Sequence, residues 1–223
     1  MKGKGIVSLS GGMDSTTVLA QAVANGLLDF QGVGFTYGSK HNKYENEAAQ
    51  RVAAKYEIPF RVIDLTGVMS GFRSNLLISG AEIPEGHYEA ESMKLTVVPG
   101  RNLIFMAIVA GIAESEGAEA VLLGVHQGDH AIYPDCRSEF IESARQTISL
   151  STDGRVRIEA PFLHTDKGGI LEWGLQHDVP YELTRTCYKE QELACGKCGA
   201  CQERLEAFRV RGCQDPIRYA SGI

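Results

Sequence analysis

The sequence predicts an α/β fold, a doubly wound parallel sheet of Rossmann-like architecture followed by a small cysteine-rich segment. Short β-rich runs alternate with helical stretches along residues 5–177, a pattern typical of βαβ units. A glycine-rich loop separates the first run from the first helix, and four of the six cysteines cluster beyond residue 180. We therefore expect one α/β domain over residues 1–180 and a metal-binding segment over residues 181–223.

The individual elements are predicted from apolar runs and from the residues that interrupt them. Strands are expected over residues 5–9, 30–37, 60–65, 120–125 and 155–160. The last of these is expected at an edge of the sheet. Helices are expected over residues 16–25, 44–56, 101–116, 140–149 and 167–177. Residues 66–93 have weak periodicity, so we expect a long loop there that is either functional or mobile.

Composition and charge limit the classes of partner. The 223 residues are 43% hydrophobic and 22% charged, which is ordinary for a globular protein. A formal net charge of −6 disfavours a surface that grips nucleic-acid backbone. The apolar run at residues 5–9 is too short for a signal peptide, and the run at 103–113 is too short to cross a bilayer. We expect a cytosolic (cytoplasmic) protein with neither a membrane nor a nucleic acid as partner.

A phosphate-binding loop is predicted between the first strand and the first helix. Its sequence is Ser10-Gly11-Gly12-Met13-Asp14-Ser15-Thr16. Two glycines let successive N–H groups converge on an anion, and the helix N-terminus adds a favourable dipole. The hydroxyls of Ser10, Ser15 and Thr16 can donate to phosphate oxygens, and Asp14 can hold a Mg²⁺ ion that bridges them. The alternative is a tight turn in which Asp14 or Ser15 merely caps the helix.

This loop resembles the pyrophosphatase loop of the N-type ATP pyrophosphatases, whose fold is called adenine nucleotide alpha hydrolase-like. The resemblance implies cleavage of ATP into AMP and pyrophosphate, with Mg²⁺ as cofactor and with Ser10, Asp14 and Ser15 in catalytic roles. It also implies an ATP site that extends into the first helix and to the end of the second strand. The residues expected in that site are Leu9, Ser10, Gly11, Gly12, Met13, Asp14, Ser15, Thr16, Thr17, Val18, Leu19, Phe35 and Thr36.

The cysteine cluster predicts a metal site. Cys187, Cys195, Cys198 and Cys201 supply four thiolates within fifteen residues. In a cytosolic protein this spacing favours a metal over disulfides, and four sulfurs without a nearby histidine favour tetrahedral zinc. An iron–sulfur cluster is the first alternative, although residue 205, where ferredoxins place a fourth cysteine, is a leucine. Free thiols without a metal are the second alternative.

Several strings together resemble the 7-cyano-7-deazaguanine synthase family of the queuosine pathway, over roughly residues 5–205. Besides the phosphate loop and the cysteines, they are Thr16-Thr17, Tyr37-Gly38-Ser39-Lys40-His41, Glu47, Val98-Pro99-Gly100-Arg101-Asn102 and Tyr133-Pro134-Asp135-Cys136-Arg137. The resemblance implies a carbon–nitrogen ligase that converts 7-carboxy-7-deazaguanine and ammonia into the nitrile through an amide. It further implies ATP, Mg²⁺ and one Zn²⁺ per chain, and a homodimer.

The substrate contacts are expected from the same strings. Arg137 can pair the substrate carboxylate, and an aspartate after the fourth strand can accept hydrogen bonds from a guanine-like edge. Each expectation has a structural alternative: a solvated loop, a helix cap, or an Asp–Arg pair that only pins the loop. The expected contact residues are Lys40, His41, Arg101, Asn102, Asp129, Asp135 and Arg137.

Three positions depart from the family pattern. Met13 stands where glutamine is frequent, and His126 and His130 are added beside Asp129. These histidines leave open whether the product is the nitrile or the amide. A tRNA thiolase that uses cysteines as sulfur carriers is a second hypothesis, and a nucleotide sensor that binds ATP without cleaving it is a third.

Overall fold

The computed structural model describes residues 3–26 and 29–220. The strands are β1 (Lys4–Ser8), β2 (Asp29–Thr36), β3 (Phe60–Asp64), β4 (Ala120–Leu122) and β5 (Arg157–Glu159). The described α-helices are α1 (Met13–Ala24), α2 (Asn42–Lys55), α3 (Thr66–Met69), α4 (Arg101–Ser115), α5 (Ser138–Ser151), α6 (Lys167–Gln176) and α7 (Gly199–Val210). Short 3₁₀ segments lie at Glu91–Thr96, Gln127–Ala131, Pro134–Cys136 and Tyr181–Leu183.

The sheet has five strands in the order β3-β2-β1-β4-β5, and every described strand pair is parallel. The central strand β1 is buried on both faces, because Ile6 and Val7 point to opposite sides and neither is exposed. The predicted α/β fold is therefore confirmed, and β5 lies at an edge as expected.

Helices cover both faces of the sheet. Ile6 packs in a core cluster with Met106 of α4 and Ile141 of α5. Val7 packs on the other side with residues of α1, α2 and α6, among them Leu19 and Ile170. This two-sided cover is the doubly wound arrangement that the sequence predicts.

Some element boundaries differ from the predictions. Helix α1 begins at Met13 rather than Thr16, because Gly12 adopts extended N-cap geometry. Strands β4 and β5 are shorter than expected, with three residues each. Helix α7 lies outside the predicted helices, because its sequence begins inside the cysteine cluster, whose spacing indicates metal binding.

Buried hydrogen bonds of Arg204 hold the C-terminal segment together. Arg204 of α7 has no exposed surface, and its guanidinium donates to both carboxylate oxygens of Asp215 at 2.7 and 2.8 Å. It also donates to the Thr184 hydroxyl at 2.7 Å. A buried bidentate pair such as Arg204 and Asp215 is stable only when its donors are satisfied. These hydrogen bonds therefore fix α7 against the preceding loop. The domain boundary near residue 180 stays a prediction.

The described helices include none that is long and apolar enough to span a bilayer.

Candidate active site

A cavity of about 230 Å³ opens at the carboxyl ends of β1, β2 and β4. Strand order reverses at β1, so the loops after β1 and β4 separate there and leave a crevice. The walls come from the predicted phosphate loop, the N-terminal turns of α2 and α4, and the segment that carries the cysteines.

The phosphate loop is held tightly on three sides. Gly11 has φ of 75°, and a Cβ there would lie 2.3 Å from the backbone nitrogen of Ala49, so only glycine fits. The Gly11 carbonyl accepts a hydrogen bond from the Arg185 amide at 2.8 Å. A Cβ on Gly124 would lie 2.9 Å from the Ser15 amide, which shows how closely the end of β4 approaches. The loop is thus pre-shaped before any ligand arrives.

The hydroxyls of the loop face one another. The Oγ atoms of Ser10 and Ser15 are 3.1 Å apart, and the Gly12 amide donates to Ser10 Oγ at 3.2 Å. No side chain caps α1, whose N-cap is Gly12. The alternative in which Asp14 or Ser15 is the helix cap is therefore wrong, and the free N-terminus of α1 points its donors at the cavity.

A buried ammonium group lies beside Asp14. Lys167 is 7% exposed, and its Nζ lies 3.3 Å from Asp14 Oδ2 and 2.6 Å from Glu203 Oε2. Burial alone would lower the pKa of Lys167, but Asp14, Glu203 and Asp129 raise it above its ordinary value. The lysine is therefore a fixed positive charge at the mouth of the loop.

Asp14 stays ionised because neighbouring positive charge stabilises its carboxylate. Burial would raise the pKa of Asp14, but Lys167 and then His126 outweigh it and hold that pKa below its ordinary value. Asp14 Oδ1 is buried and has no hydrogen-bond partner. A buried carboxylate oxygen without a partner is uncommon, and a cation or a polar ligand group would satisfy it.

His126 is fully buried between two carboxylates. Its Nδ1 accepts a hydrogen bond from the Gly128 amide at 3.0 Å, so the neutral ring carries its proton on Nε2. Nε2 faces Asp14 Oδ2 at 3.7 Å and Asp129 Oδ2 at 3.5 Å. The ligand atoms of His126, Asp129 and Glu203 all lie within 4.8 Å of one another. A protonated Nε2 and the adjacent Lys167 ammonium nevertheless make this trio a poor metal site.

The other end of the cavity contains a second polar cluster. His41 Nε2 lies 3.3 Å from the Tyr37 hydroxyl and 3.4 Å from Glu45 Oε2. Burial, and then Arg101 and Arg185, lower the pKa of His41 to about 3. Burial raises the pKa of Glu45 to about 7 against the pull of the same arginines. This end therefore combines a neutral imidazole, a fixed guanidinium and a carboxyl group that titrates near neutrality.

Glu45→Gln is expected to become more stable relative to the wild type as pH rises. The folded-state pKa of Glu45 lies above its ordinary value of 4.5, so the wild type loses stability between about pH 4.5 and 7 as the partly buried carboxylate ionises. Glutamine does not ionise. The difference in free energy of unfolding should grow by about 1–3 kcal/mol between pH 5 and pH 8.

Thermal unfolding at the two pH values measures this change. Glu47→Gln is the matched control, because Glu47 is an exposed residue on the same helix. Equal pH dependence in both variants would contradict the raised pKa of Glu45.

Half of the predicted contact residues line the cavity. They are Leu9, Ser10, Gly12, Asp14, Ser15, Phe35, His41, Arg101, Asn102 and Asp129. The others lie outside its lining: Gly11, Met13, Thr16, Thr17, Val18, Leu19, Thr36, Lys40, Asp135 and Arg137. Their ligand roles stay predictions, as do those of the residues in the lining.

The α1 residues outside the lining face the interior. Met13, Val18 and Leu19 are core residues with at most 1% exposure. Thr17 Oγ1 is 2.8 Å from the Tyr181 hydroxyl, which joins α1 to the C-terminal segment. The Oγ1 of Thr16 is buried without a hydrogen-bond partner. Because α1 starts at Met13, these side chains of α1 point away from the helix N-terminus. They therefore position the phosphate loop.

The outlying substrate candidates have structural contacts. Lys40 Nζ donates to the carbonyls of Asn75, Gly80 and Ala81 at 3.0, 3.1 and 2.5 Å, which fastens the following loop. Asp135 Oδ2 accepts from the Asn102 amide at 2.9 Å and so satisfies a free donor at the start of α4. Arg137 is exposed at the start of α5. The side chain of His130 lies outside the part of the chain that the structure describes.

Sequence reasoning missed several residues of the cavity wall. Lys167 and Glu203 reach it from α6 and α7, and Glu45, Arg185 and Tyr188 complete its other end. In the sequence, Lys167 directly follows Asp166. Asp166 caps α6 by accepting a hydrogen bond from the Gly169 amide at 2.7 Å, so the pair resembles an ordinary helix start and does not indicate a site residue.

The four cysteines of the cluster come together as a potential metal site. Cys187, Cys195, Cys198 and Cys201 are all buried, and their Sγ atoms lie within 4.8 Å of one another. Backbone amides point at the sulfurs: Cys195 N–H donates to Cys187 Sγ at 3.3 Å, and Cys198 N–H donates to Cys195 Sγ at 3.3 Å. Such donors stabilise thiolates, so the donor set suits a bound cation.

Comparisons with known proteins show which family the chain resembles. Residues 4–212 match the family described as Queuosine biosynthesis protein QueC. The chain is 48% identical over 219 residues to 7-cyano-7-deazaguanine synthase of Marinomonas sp. (strain MWYL1), covering 98% of this chain and 99% of that one. It is 44% identical over 216 residues to 7-cyano-7-deazaguanine synthase 2 of Colwellia psychrerythraea (strain 34H / ATCC BAA-681), covering 96% and 98%.

A solved structure shares the fold. NMN synthetase from Francisella tularensis superimposes with a TM-score of 0.55 at 16% identity, covering 96% of this chain and 79% of that one. At this level of identity the likeness concerns the fold alone.

Proposed function

Because this chain belongs to the QueC family of queuosine biosynthesis proteins, we propose that it is an ATP-dependent carbon–nitrogen ligase. The proposed substrates are 7-carboxy-7-deazaguanine and ammonia, and the proposed products are 7-cyano-7-deazaguanine, AMP and pyrophosphate. The observation that carries the proposal is the phosphate loop, whose amides and hydroxyls face the same cavity as the buried Lys167 ammonium. Zinc in the cysteine site, a homodimer and the lack of a nucleic-acid partner belong to the same proposal.

The proposed chemistry needs activation of a poor electrophile. A carboxylate repels nucleophiles, so its oxygen first attacks the α-phosphorus of ATP and expels pyrophosphate. Ammonia then attacks the acyl carbon, AMP leaves with the C–O bond electrons, and loss of a proton gives the amide. A second adenylation on the amide oxygen, followed by loss of AMP and of both N–H protons, leaves the nitrile.

The residues supply position and charge rather than covalent catalysis. The loop amides, Ser10 and Ser15 would hold the pyrophosphate oxygens, and the Lys167 ammonium would offset the negative charge that develops there. Asp14 would hold Mg²⁺, a role that fits its unpaired buried oxygen; the ion neutralises phosphate charge when bound. Arg101, partly buried at the other end, is placed to pair with an anionic part of the heterocycle.

Pyrophosphate release with and without the carboxylate tests the proposal. We expect AMP and pyrophosphate in equal amounts only when the carboxylate is present, and mass spectrometry should identify the nitrile. An amide as the final product would support an enzyme that stops after one adenylation. ADP and orthophosphate, or cleavage that ignores the carboxylate, would contradict the proposal.

The thiolase hypothesis predicts a persulfide on a reactive cysteine. The four clustered cysteines are at most 5% exposed and face one another, which leaves no accessible sulfur among them for transfer. A persulfide on Cys198 or Cys201 after turnover with a sulfur donor would reverse this preference.

A further inference from the structure

A second, smaller cavity adjoins the main one on the side of the cysteine segment. It has a volume of about 20 Å³ and lies between the start of α7, the Gln127–Ala131 segment and the loop that carries Tyr88 and Met93. The two cavities share five wall residues, which are Asp129, Tyr133, Tyr188, Ala200 and Glu203. The small cavity is therefore a side chamber of the proposed active site.

The size of this side chamber restricts its occupant. A cavity needs roughly 10–15 Å³ of such volume to hold one water molecule, so about 20 Å³ admits a molecule of that size and little more. Water, ammonia and ammonium meet this limit, whereas a substituted amine, a nucleotide or a heterocycle does not.

The chemistry of the walls favours a small cation. Three tyrosines, at positions 88, 133 and 188, border the chamber together with the carboxylates of Asp129 and Glu203. Aromatic faces and carboxylates both attract ammonium. No lysine or arginine is among the described residues of its wall.

The two carboxylates are not equally available. Glu203 Oε2 accepts from Lys167 Nζ at 2.6 Å. Asp129 Oδ2 instead faces the buried His126 Nε2 at 3.5 Å, and that Nε2 has no hydrogen-bond partner. Among the described residues, Asp129 therefore has no contact as short as the one that Glu203 makes with Lys167, so its carboxylate is the wall acceptor that a donor in the chamber can reach.

We propose that the side chamber binds ammonium and delivers ammonia to the acyl adenylate in the main cavity. The inference rests on the proposed function and names the site of its second substrate. Ammonium has no lone pair, so it first gives one proton to an Asp129 carboxylate oxygen. The lone pair of the resulting NH₃ attacks the acyl carbon, the C–O bond to AMP breaks with its electrons on AMP, and a second proton passes to solvent to leave the neutral amide.

Two substitutions that line only the side chamber test the inference. Gly199→Val should fill it, because even a Cβ there would lie 2.8 Å from Met93 Sδ. We expect the KM for total ammonium at fixed pH to rise by about tenfold or more. Carboxylate-dependent exchange of labelled pyrophosphate into ATP, measured without ammonium, should stay within about twofold of the wild type, because adenylation does not use the chamber.

Met93→Ala should enlarge the chamber and admit methylamine, which the wild type should reject. Mass spectrometry would detect the N-methylamide. Met69→Ala is the matched control, because Met69 is an equally buried methionine that lines neither cavity. If Gly199→Val fails to fold or loses its metal, the methylamine experiment decides alone.

The outcomes separate the inference from the proposed function. An unchanged ammonium KM in folded Gly199→Val, or methylamine use that is equal in the wild type, Met93→Ala and Met69→Ala, would overturn the side chamber while leaving the ligase intact. Absence of pyrophosphate exchange in the wild type would instead overturn the proposed function.

Discussion

Cys201→Ser is expected to unfold the C-terminal segment and to destabilise the whole chain. The four sulfurs share one core cluster with sheet residues such as Ile6 and Val121, so the metal site is part of the main core. The proposed zinc would hold together a segment whose loop 184–198 contains no regular helix or strand. We expect a loss of about 4–5 kcal/mol or more, which corresponds to a fall in Tm of roughly 10–20 °C for a chain of this length.

Cys213→Ser is the matched control for this effect. Cys213 lies on the same segment but outside the cluster, and its Sγ donates to the Phe208 carbonyl at 3.6 Å. Thermal unfolding and metal content should therefore change in Cys201→Ser and not in Cys213→Ser. Chelation of the metal from the wild type should reproduce the loss of stability. A Cys201→Ser protein that melts like the control would contradict a structural metal.

The fold and the phosphate loop could be predicted because their signals are local. Apolar runs such as residues 5–9 and 30–37 report burial on both sheet faces, and the Gly11-Gly12 pair can be recognised without knowledge of any distant residue. Parallel order then follows from the alternation of strands and helices. The start of α1 was misplaced by three residues, since Gly12 serves as N-cap through its backbone and leaves no side-chain signal.

The remainder of the site could not be predicted because it is assembled over long sequence distances. Asp14 meets Lys167, 153 positions later, and Lys167 meets Glu203, 36 positions later again. No periodicity encodes such contacts. The same is true of Glu45, which resembles an ordinary acidic residue in the first turn of α2 until Arg101 and Tyr188 close the cavity over it.

A local motif does not show which of its residues face a site. The Tyr-Pro-Asp-Cys-Arg string, which looks like a substrate-binding loop, places Asp135 on the Asn102 amide and leaves Arg137 at the surface. A sequence motif can thus be recognisable because its residues shape the wall of a site. Two members of the Tyr-Pro-Asp-Cys-Arg string, Tyr133 and Cys136, line the cavity themselves, and Asp135 contacts Asn102, which also lines it.

Asp14→Asn is expected to abolish turnover while the protein stays folded. The substitution preserves size but removes the charge that faces Lys167 Nζ at 3.3 Å, and it removes the carboxylate proposed to hold Mg²⁺. Loss of one such electrostatic contact typically lowers kcat by about 10²–10³, and loss of the bound ion adds to this. Lys167 keeps its 2.6 Å contact with Glu203, so the fold should lose no more than about 1–3 kcal/mol.

Pyrophosphate exchange and thermal unfolding, measured on the same preparation, separate the two effects. Asp29→Asn is the matched control, because Asp29 is an exposed aspartate at the start of β2, outside the cavity. The control should keep full exchange and full stability. If Asp14→Asn keeps exchange near the wild-type rate, the carboxylate does not take part in phosphate chemistry. If it unfolds instead, Asp14 serves the fold, because a buried Lys167 with a single carboxylate partner would then be too costly for the native state.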